Sequence, residues 1–295
     1  MKNRKTALSL SITVALLIIK SYLLASDNNS ANLATLSEPV EIVSIGGSVT
    51  ETIFKLGMGH LVVGVDLSST IPKEVEKLPQ VGYIRRISSE GVLSMMPNLI
   101  LTSSEIGPPN ALQQLKNSGI DIKVFNSPVT IDEIVELVKI VSKNLKVEAK
   151  AQEVIKNIYN SFNEIKNISG TFKRQPKIAF FLNSNSDSFN AAGAGTNADY
   201  LIKLIGGKNV FSSDFKKYQK VGKEQILKYN PDIILVASHI PNQEAFIYFE
   251  RKEEFTFLKA LQTNNLVEVD MSTLSMGPGF TERALKVLKK INIEF

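Results

Sequence analysis

Cysteine is absent from all 295 residues, and histidine occurs only at His60 and His239. Without a thiol there is no disulfide framework, no cysteine nucleophile and no thiolate zinc site. Two histidines cannot supply the several imidazoles of a zinc or manganese carrier, and they offer an enzyme few general bases. His60 falls in a helix–strand turn and reads as a solvated surface residue. His239 follows the strand 233–236, where ligands bind in α/β sheets, although a plain loop histidine is the more ordinary reading. No G-x-S-x-G nucleophile elbow occurs. Gly193-Ala-Gly195-Thr-Asn-Ala198 satisfies G-x-G-x-x-A, but a polar stretch separates it from the strand 177–182, so it is not a dinucleotide fingerprint. These absences point away from an enzyme.

Charge of one sign is also scarce once the N-terminus is set aside. The formal net charge is +5, from 34 basic and 29 acidic residues. Lys2, Arg4, Lys5 and Lys20 lie in residues 1–26 with no acidic residue beside them, so the remainder is close to neutral. Nucleic-acid binding thereby loses its main electrostatic support. Residues 1–26 read as a signal peptide: a basic start, the uncharged run Ala7–Ile19, too short to span a bilayer, then small Ala25 and Ser26. Residues 27–38, rich in Asn and Ser, read as a flexible lead-in. An exported chain without cysteine relies on its core alone and has no residue for lipid attachment. It is expected to be free in a Gram-negative periplasm, as a monomer.

What the chain does have is an internal repeat. Glu90 opens a short amphipathic stretch, Pro97 follows, and an apolar run ends at Ser104; Glu224, Pro231 and Ser238 repeat the pattern without a gap. Gly47, Glu51 and Lys55 line up in the same way with Gly195, Asp199 and Lys203. Two elements repeated in order imply two lobes of like architecture with a cleft between them. Strands at 40–45, 61–65, 99–101 and 123–125 alternate with helices at 48–56, 90–96 and 110–118, the pattern of a parallel sheet covered by helices. Ser48 with Glu51 three residues on predicts a capping box. Thr130 caps a helix through Asn144, and apolar residues recur at helical spacing from Val147 to Ile168 without Gly or Pro. After Pro176 the alternation resumes, with strands at 177–182, 233–236 and 266–269 and helices at 197–205, 224–229, 253–260 and 281–291. The fold class is therefore α/β: two Rossmann-like lobes joined by a single long connector helix, with the ligand cleft between them. The divisions are an N-terminal lobe at 39–130, a helical connector region at 131–172 and a C-terminal lobe at 173–295.

The stretch Val81-Gly-Tyr83-Ile-Arg85-Arg86 is where residues suggest a ligand. Gly82 lets the backbone bend and exposes the Tyr83 ring, and two arginines follow. A phenolate suits ferric iron and is a known axial ligand to haem. A neighbouring guanidinium favours the phenolate and pairs with carboxylates bidentately. The residues alone leave open a structural tyrosine beside two solvated arginines.

The exported part resembles the periplasmic haem-binding proteins of bacterial haemin ABC transporters. The resemblance is carried by Ile45-Gly-Gly-Ser-Val-Thr-Glu51, Val63-Gly-Val-Asp66, Val81-Gly-Tyr-Ile-Arg85 with Ser89-Glu-Gly-Val-Leu93, Gly107-Pro-Pro109, Gly193-Ala-Gly-Thr-Asn-Ala198 and Gly206-Gly-Lys-Asn209. Gly-Tyr-x-Arg with Ser-x-Glu-Gly is the specific part; the rest recurs in siderophore and cobalamin carriers. It implies haem as transported ligand and little hinge motion. Tyr83 would be the axial iron ligand, with Arg85 at the tyrosine oxygen or a propionate and Arg86 and Gly107 beside them. It also implies that Glu90 and Glu224, one per lobe, dock on the permease. Two positions depart from the pattern. No histidine lies in Leu182–Asn190, where some relatives supply a second axial ligand, which leaves a five-coordinate iron or His239. Met276-Gly-Pro-Gly279 has glycine where relatives often carry arginine, with Lys216, Lys217 and Lys220 as conceivable substitutes. The same fold carrying a ferric siderophore or cobalamin is the alternative.

Overall fold

The computed structural model describes residues 40–185, 188–238, 249 and 252–292. The signal peptide expected at 1–26, the lead-in at 27–38 and His239 lie outside the described residues. From Glu41 onward the chain forms one compact unit containing two principal sheets. The first is built from β1 (Ile42–Ile45), β2 (Val62–Val65), β5 (Leu99–Ser103) and β6 (Asp121–Phe125) in the order β2-β1-β5-β6, all parallel. Its crossovers carry helices α1 (Gly47–Lys55), α2 (Ser89–Ser94) and α3 (Pro109–Asn117) and a small hairpin of β3 (Gly82–Tyr83) and β4 (Arg86–Ile87). Helices α4 (Ile131–Asn144) and α5 (Glu148–Ser169) follow. The second sheet contains β7 (Lys177–Asn185), β8 (Ser188–Ala192), β9 (Lys208–Asn209), β10 (Tyr218–Val221), β11 (Ile233–Ser238) and β12 (Leu266–Asp270). Helices α6 (Asn197–Leu204), α7 (Lys223–Tyr229), α8 (Lys259–Gln262) and α9 (Phe280–Lys290) belong to that half.

The repeated segments that begin at Glu90 and Glu224 occupy equivalent places. Glu90 and Glu224 are each the second residue of their helices, α2 and α7. Each helix leads through a proline to the middle of a parallel trio: β5 between β1 and β6, β11 between β7 and β12. Such strands are apolar throughout because both faces are buried. Ile233, Leu235 and Ala237 enter one core, while Ile234 and Val236 enter another. Thr130 caps α4 through a full capping box with Glu133, as its sequence predicts. Helix α5 runs 22 residues, about 33 Å at 1.5 Å per residue. It buries Ala151, Val154, Ile158 and Ile165 along one stripe.

The core around α5 is shared. Val49 and Ile53 of α1, Val138 and Val141 of α4, Phe180 and Leu235 of the second sheet, and Leu285 and Leu288 of α9 belong to a single buried cluster. The outer face of the second sheet has its own core rich in phenylalanine. There Phe181, Phe189 and Phe249 lie with ring centroids 4.7–5.4 Å apart, in the favourable range for aromatic pairs.

Three local expectations are corrected. The polar stretch after β7 contains strand β8, antiparallel to β7, and β10 adds antiparallel to β8, so the second sheet is mixed. The helix expected at 253–260 is a 3-10 turn, Glu253–Phe255, followed by the short α8, an arrangement that buries Phe255 and Leu258. Helix α1 begins at Gly47, with Gly46 at the N-cap at φ +105° and no side-chain cap. The Glu51 carboxylate is turned away from its own helix end and is held by Arg283 Nη1 at 2.6 Å and Nη2 at 3.1 Å, and by the Gly279 amide at 3.0 Å.

Candidate functional site

Ligands of open α/β sheets bind beyond the carboxyl ends of the strands, and the local chemistry of this chain is concentrated there. Gly46 follows β1 and donates its amide to Asp66 Oδ1, just after β2, at 2.7 Å. Asp66 also accepts from Ser69 Oγ (2.7 Å), which meets Thr50 Oγ1 (2.8 Å), which meets Ser44 Oγ (2.7 Å). All of these side chains are buried, and buried polar groups linked in this way specify one arrangement of the two loops.

The hairpin β3–β4 is mounted on that edge. The Leu67 amide donates to Gly82 O (2.9 Å), the Gly107 amide to Ile84 O (2.8 Å) and the Ile87 amide to Gly107 O (2.8 Å). Gly82 sits at φ +102°, a conformation that suits glycine. Ile84 and Ile87 are buried in the outer core of the first sheet, whereas Tyr83, Arg85 and Arg86 are exposed. The Tyr83 side chain is 46% exposed and Leu67 beside it 52%. Tyr83 and Arg86 face each other across the hairpin. Arg85 is aimed elsewhere: its Nη2 donates to Glu105 Oε2 at 3.2 Å. A Cβ at Gly107 would lie 3.2 Å from Arg85 O, so glycine lets the hairpin backbone sit against this loop.

The second half of the chain approaches the same edge. A Cβ on Gly47 would stand 3.6 Å from Ser275 Oγ, and Asn197 Nδ2 donates to Leu274 O at 2.9 Å. Gly193 and Ala194 pair with Lys217 and Phe215 by backbone hydrogen bonds, which places exposed Lys216 and Lys217 beside the glycine loop. Burial pushes the Tyr218 phenol up to about 12, against hydrogen bonds with Thr196 and Ala198 that favour its ionised form, so this tyrosine stays neutral near pH 7. Glu90 and Glu224 are exposed and pair with no cation among the described residues. His60 is exposed in a 3-10 turn, Gly59–Leu61. No group of three His, Asp or Glu side chains that could hold a metal ion occurs among the described residues. A groove of about 790 Å³ opens between β6 and α4, and no residue of the hairpin lines it.

Glu105 as the partner of Arg85, the Asp66 network and the Glu51–Arg283 pair are not predicted from the sequence. Only Asp66 carried a local signal, at the end of an apolar Val-Gly-Val run.

Residues 42–273 match the family profile described as Periplasmic binding protein. In sequence, the chain is 26% identical over 269 residues to YvrC of Bacillus subtilis (strain 168), an uncharacterized ABC transporter substrate-binding lipoprotein; the match covers 90% of this chain and 84% of that one. It is 25% identical over 218 residues to the vitamin B12-binding protein of Pectobacterium atrosepticum, covering 72% and 78% of the two chains. In structure, the periplasmic heme-binding protein HutB of Vibrio cholerae matches with a TM-score of 0.73 and 30% identity, over 86% of this chain and 97% of that one. No described helix is long and apolar enough to cross a membrane.

Proposed function

The chain belongs to the periplasmic binding protein family, and from that premise we propose that it carries ferric haem through the periplasm to an ABC permease. The observation that carries the reading is the hairpin β3–β4, which presents an exposed phenol at Tyr83 opposite Arg86 at the carboxyl edge of the first sheet. A tyrosine phenolate satisfies the axial position of ferric haem. Arg85 and Arg86 offer guanidinium forks to the propionates. Arg85 reaches its propionate by exchanging the Glu105 carboxylate for that of the ligand. Gly107 serves from behind, by fixing the hairpin backbone. Haem is cargo here: its iron gains the Tyr83 oxygen as a ligand and the porphyrin is delivered unaltered. Glu90 and Glu224, at matching places in the two halves, form the acidic pair that meets the permease. Likeness to HutB supports haem, and likeness to vitamin B12-binding proteins favours cobalamin as the second reading.

The test is an absorption titration of haemin, and separately of cyanocobalamin, into the protein and its Tyr83→Ala variant. The expected result is a saturable ferric high-spin spectrum with a tyrosinate charge-transfer band, lost in the variant. Haem binding that survives the substitution moves the iron ligand, with His239 next to be changed. Saturable cobalamin binding without haem binding replaces the reading by the second one.

A further inference from the structure

An exposed leucine taken singly calls for no explanation. Two of them at the same place in an internal repeat do. Leu93 is 36% exposed and Leu227 is 37% exposed, and each lies three residues after the glutamate that opens its copy of the repeat. That spacing puts Glu90 with Leu93 on one face of α2, and Glu224 with Leu227 on one face of α7. From Glu to Pro the two stretches are identical only at Glu, Leu and Pro. The match in presentation is closer than the match in sequence. Val92 and Ile226 are fully buried and fasten the helices to the outer cores of the first and second sheets. Met96 and Asn230, just before the prolines, both take the left-handed conformation, with φ +50° and +41°. Each helix runs toward the amino end of a central strand, so its first turn lies at the carboxyl edge of its own sheet. Lys223, next to Glu224 in sequence, reaches Glu254 at 3.4 Å.

Packing within the chain accounts for Val92 and Ile226 but leaves more than a third of Leu93 and of Leu227 in water. A carboxylate beside an apolar group matches a partner that sets a basic side chain beside an apolar one, and two equivalent patches match a partner with a two-fold axis. On the reading that Glu90 and Glu224 meet the permease, we propose that Leu93 and Leu227 are the apolar half of the same docking surface. The acids steer and orient the encounter, because exposed charges act at a distance yet contribute little to a hydrated contact. The leucines hold the complex, each packing on an apolar side chain of the permease beside the cation that its glutamate meets. Docking therefore has one part that salt screens and one that salt does not.

The experiment measures binding of the protein to its permease in lipid nanodiscs, at low and at high sodium chloride. The variants are Leu93→Ser, Leu227→Ser, the conservative Leu93→Met, and Glu90→Ala combined with Glu224→Ala. Each serine variant is expected to bind about tenfold more weakly, through loss of roughly a third of a leucine's buried surface, and by the same factor at both salt concentrations. Leu93→Met is expected to bind within about twofold of the parent. The glutamate variant is expected to bind more weakly and to lose most of its salt dependence. Far-ultraviolet circular dichroism is expected to be the same throughout. Serine variants that bind like the parent overturn the proposal, as does a loss that vanishes at high salt or that Leu93→Met shares. If the glutamate variant binds like the parent, the docking reading itself falls; if it alone is weakened, only the role of the leucines does.

Discussion

Glu51 shows what a single residue can conceal. Its side chain is 1% exposed, and the compensating charge comes from Arg283, 232 residues away in sequence. The spacing of Ser48 and Glu51 imitates a capping box, and no local pattern betrays a partner at that separation. Gly277 and Gly279 are the complementary choices, because a Cβ at either would overlap the Glu51 carboxylate. Removing one partner of a buried pair strands the other, so Arg283→Met is expected to cost about 3–5 kcal/mol. Replacing both, as Glu51→Leu with Arg283→Met, is expected to recover most of that loss. Urea unfolding of the two single variants and the double measures it, and an additive result would refute the pairing. Tyr83, by contrast, is legible from its neighbours: glycine before it and arginines after it predict an exposed ring, and the ring is exposed.

At the scale of elements, legibility follows the length of the repeating pattern. Helices α4 and α5 are long, periodic and uninterrupted, and they were predicted nearly to the residue. The Thr130 cap is expected to contribute about 1 kcal/mol, read as a lowered denaturation midpoint with an unchanged slope in Thr130→Ala. Strand β8 has no clean alternation, since Phe189 and Ala191 enter one core and Ala192 the other, and its place is fixed by ladders to β7 and β10 that no local window contains. The β3–β4 hairpin has two residues per strand, too few for any period, so its geometry depends on Gly107 and Leu67 from other loops.

At the scale of the molecule, one buried cluster spans both sheets and the helices between them. Unfolding is therefore expected as a single transition, coincident by near- and far-ultraviolet circular dichroism. Acid sets one limit. Burial alone would raise the Asp232 carboxyl, but hydrogen bonds from Arg174, Lys259 and the Lys177 amide hold it far below the usual carboxylate range. Asp199 is lowered in the same way: burial is outweighed by Lys203, Asn209 and Gly195. A depressed folded value gives stability that is complete above the unfolded value of about 4 and lost as pH falls toward the folded one. The melting temperature is thus expected to drop below about pH 4, and to drop less steeply in Asp232→Asn, which starts lower. The matched acids are tested by Glu90→Ala and Glu224→Ala, expected to reduce stimulation of the reconstituted permease's ATPase while leaving haemin titration unchanged.

The bond between Glu51 and Arg283 also sets an order of events. The first of the described helices is completed by the last of them, so a chain still emerging from the ribosome holds a carboxylate whose counterion has yet to arrive. The last turns of polypeptide thus supply what the beginning of the fold lacks: until Arg283 and Gly279 arrive, burying Glu51 leaves a charge without a partner.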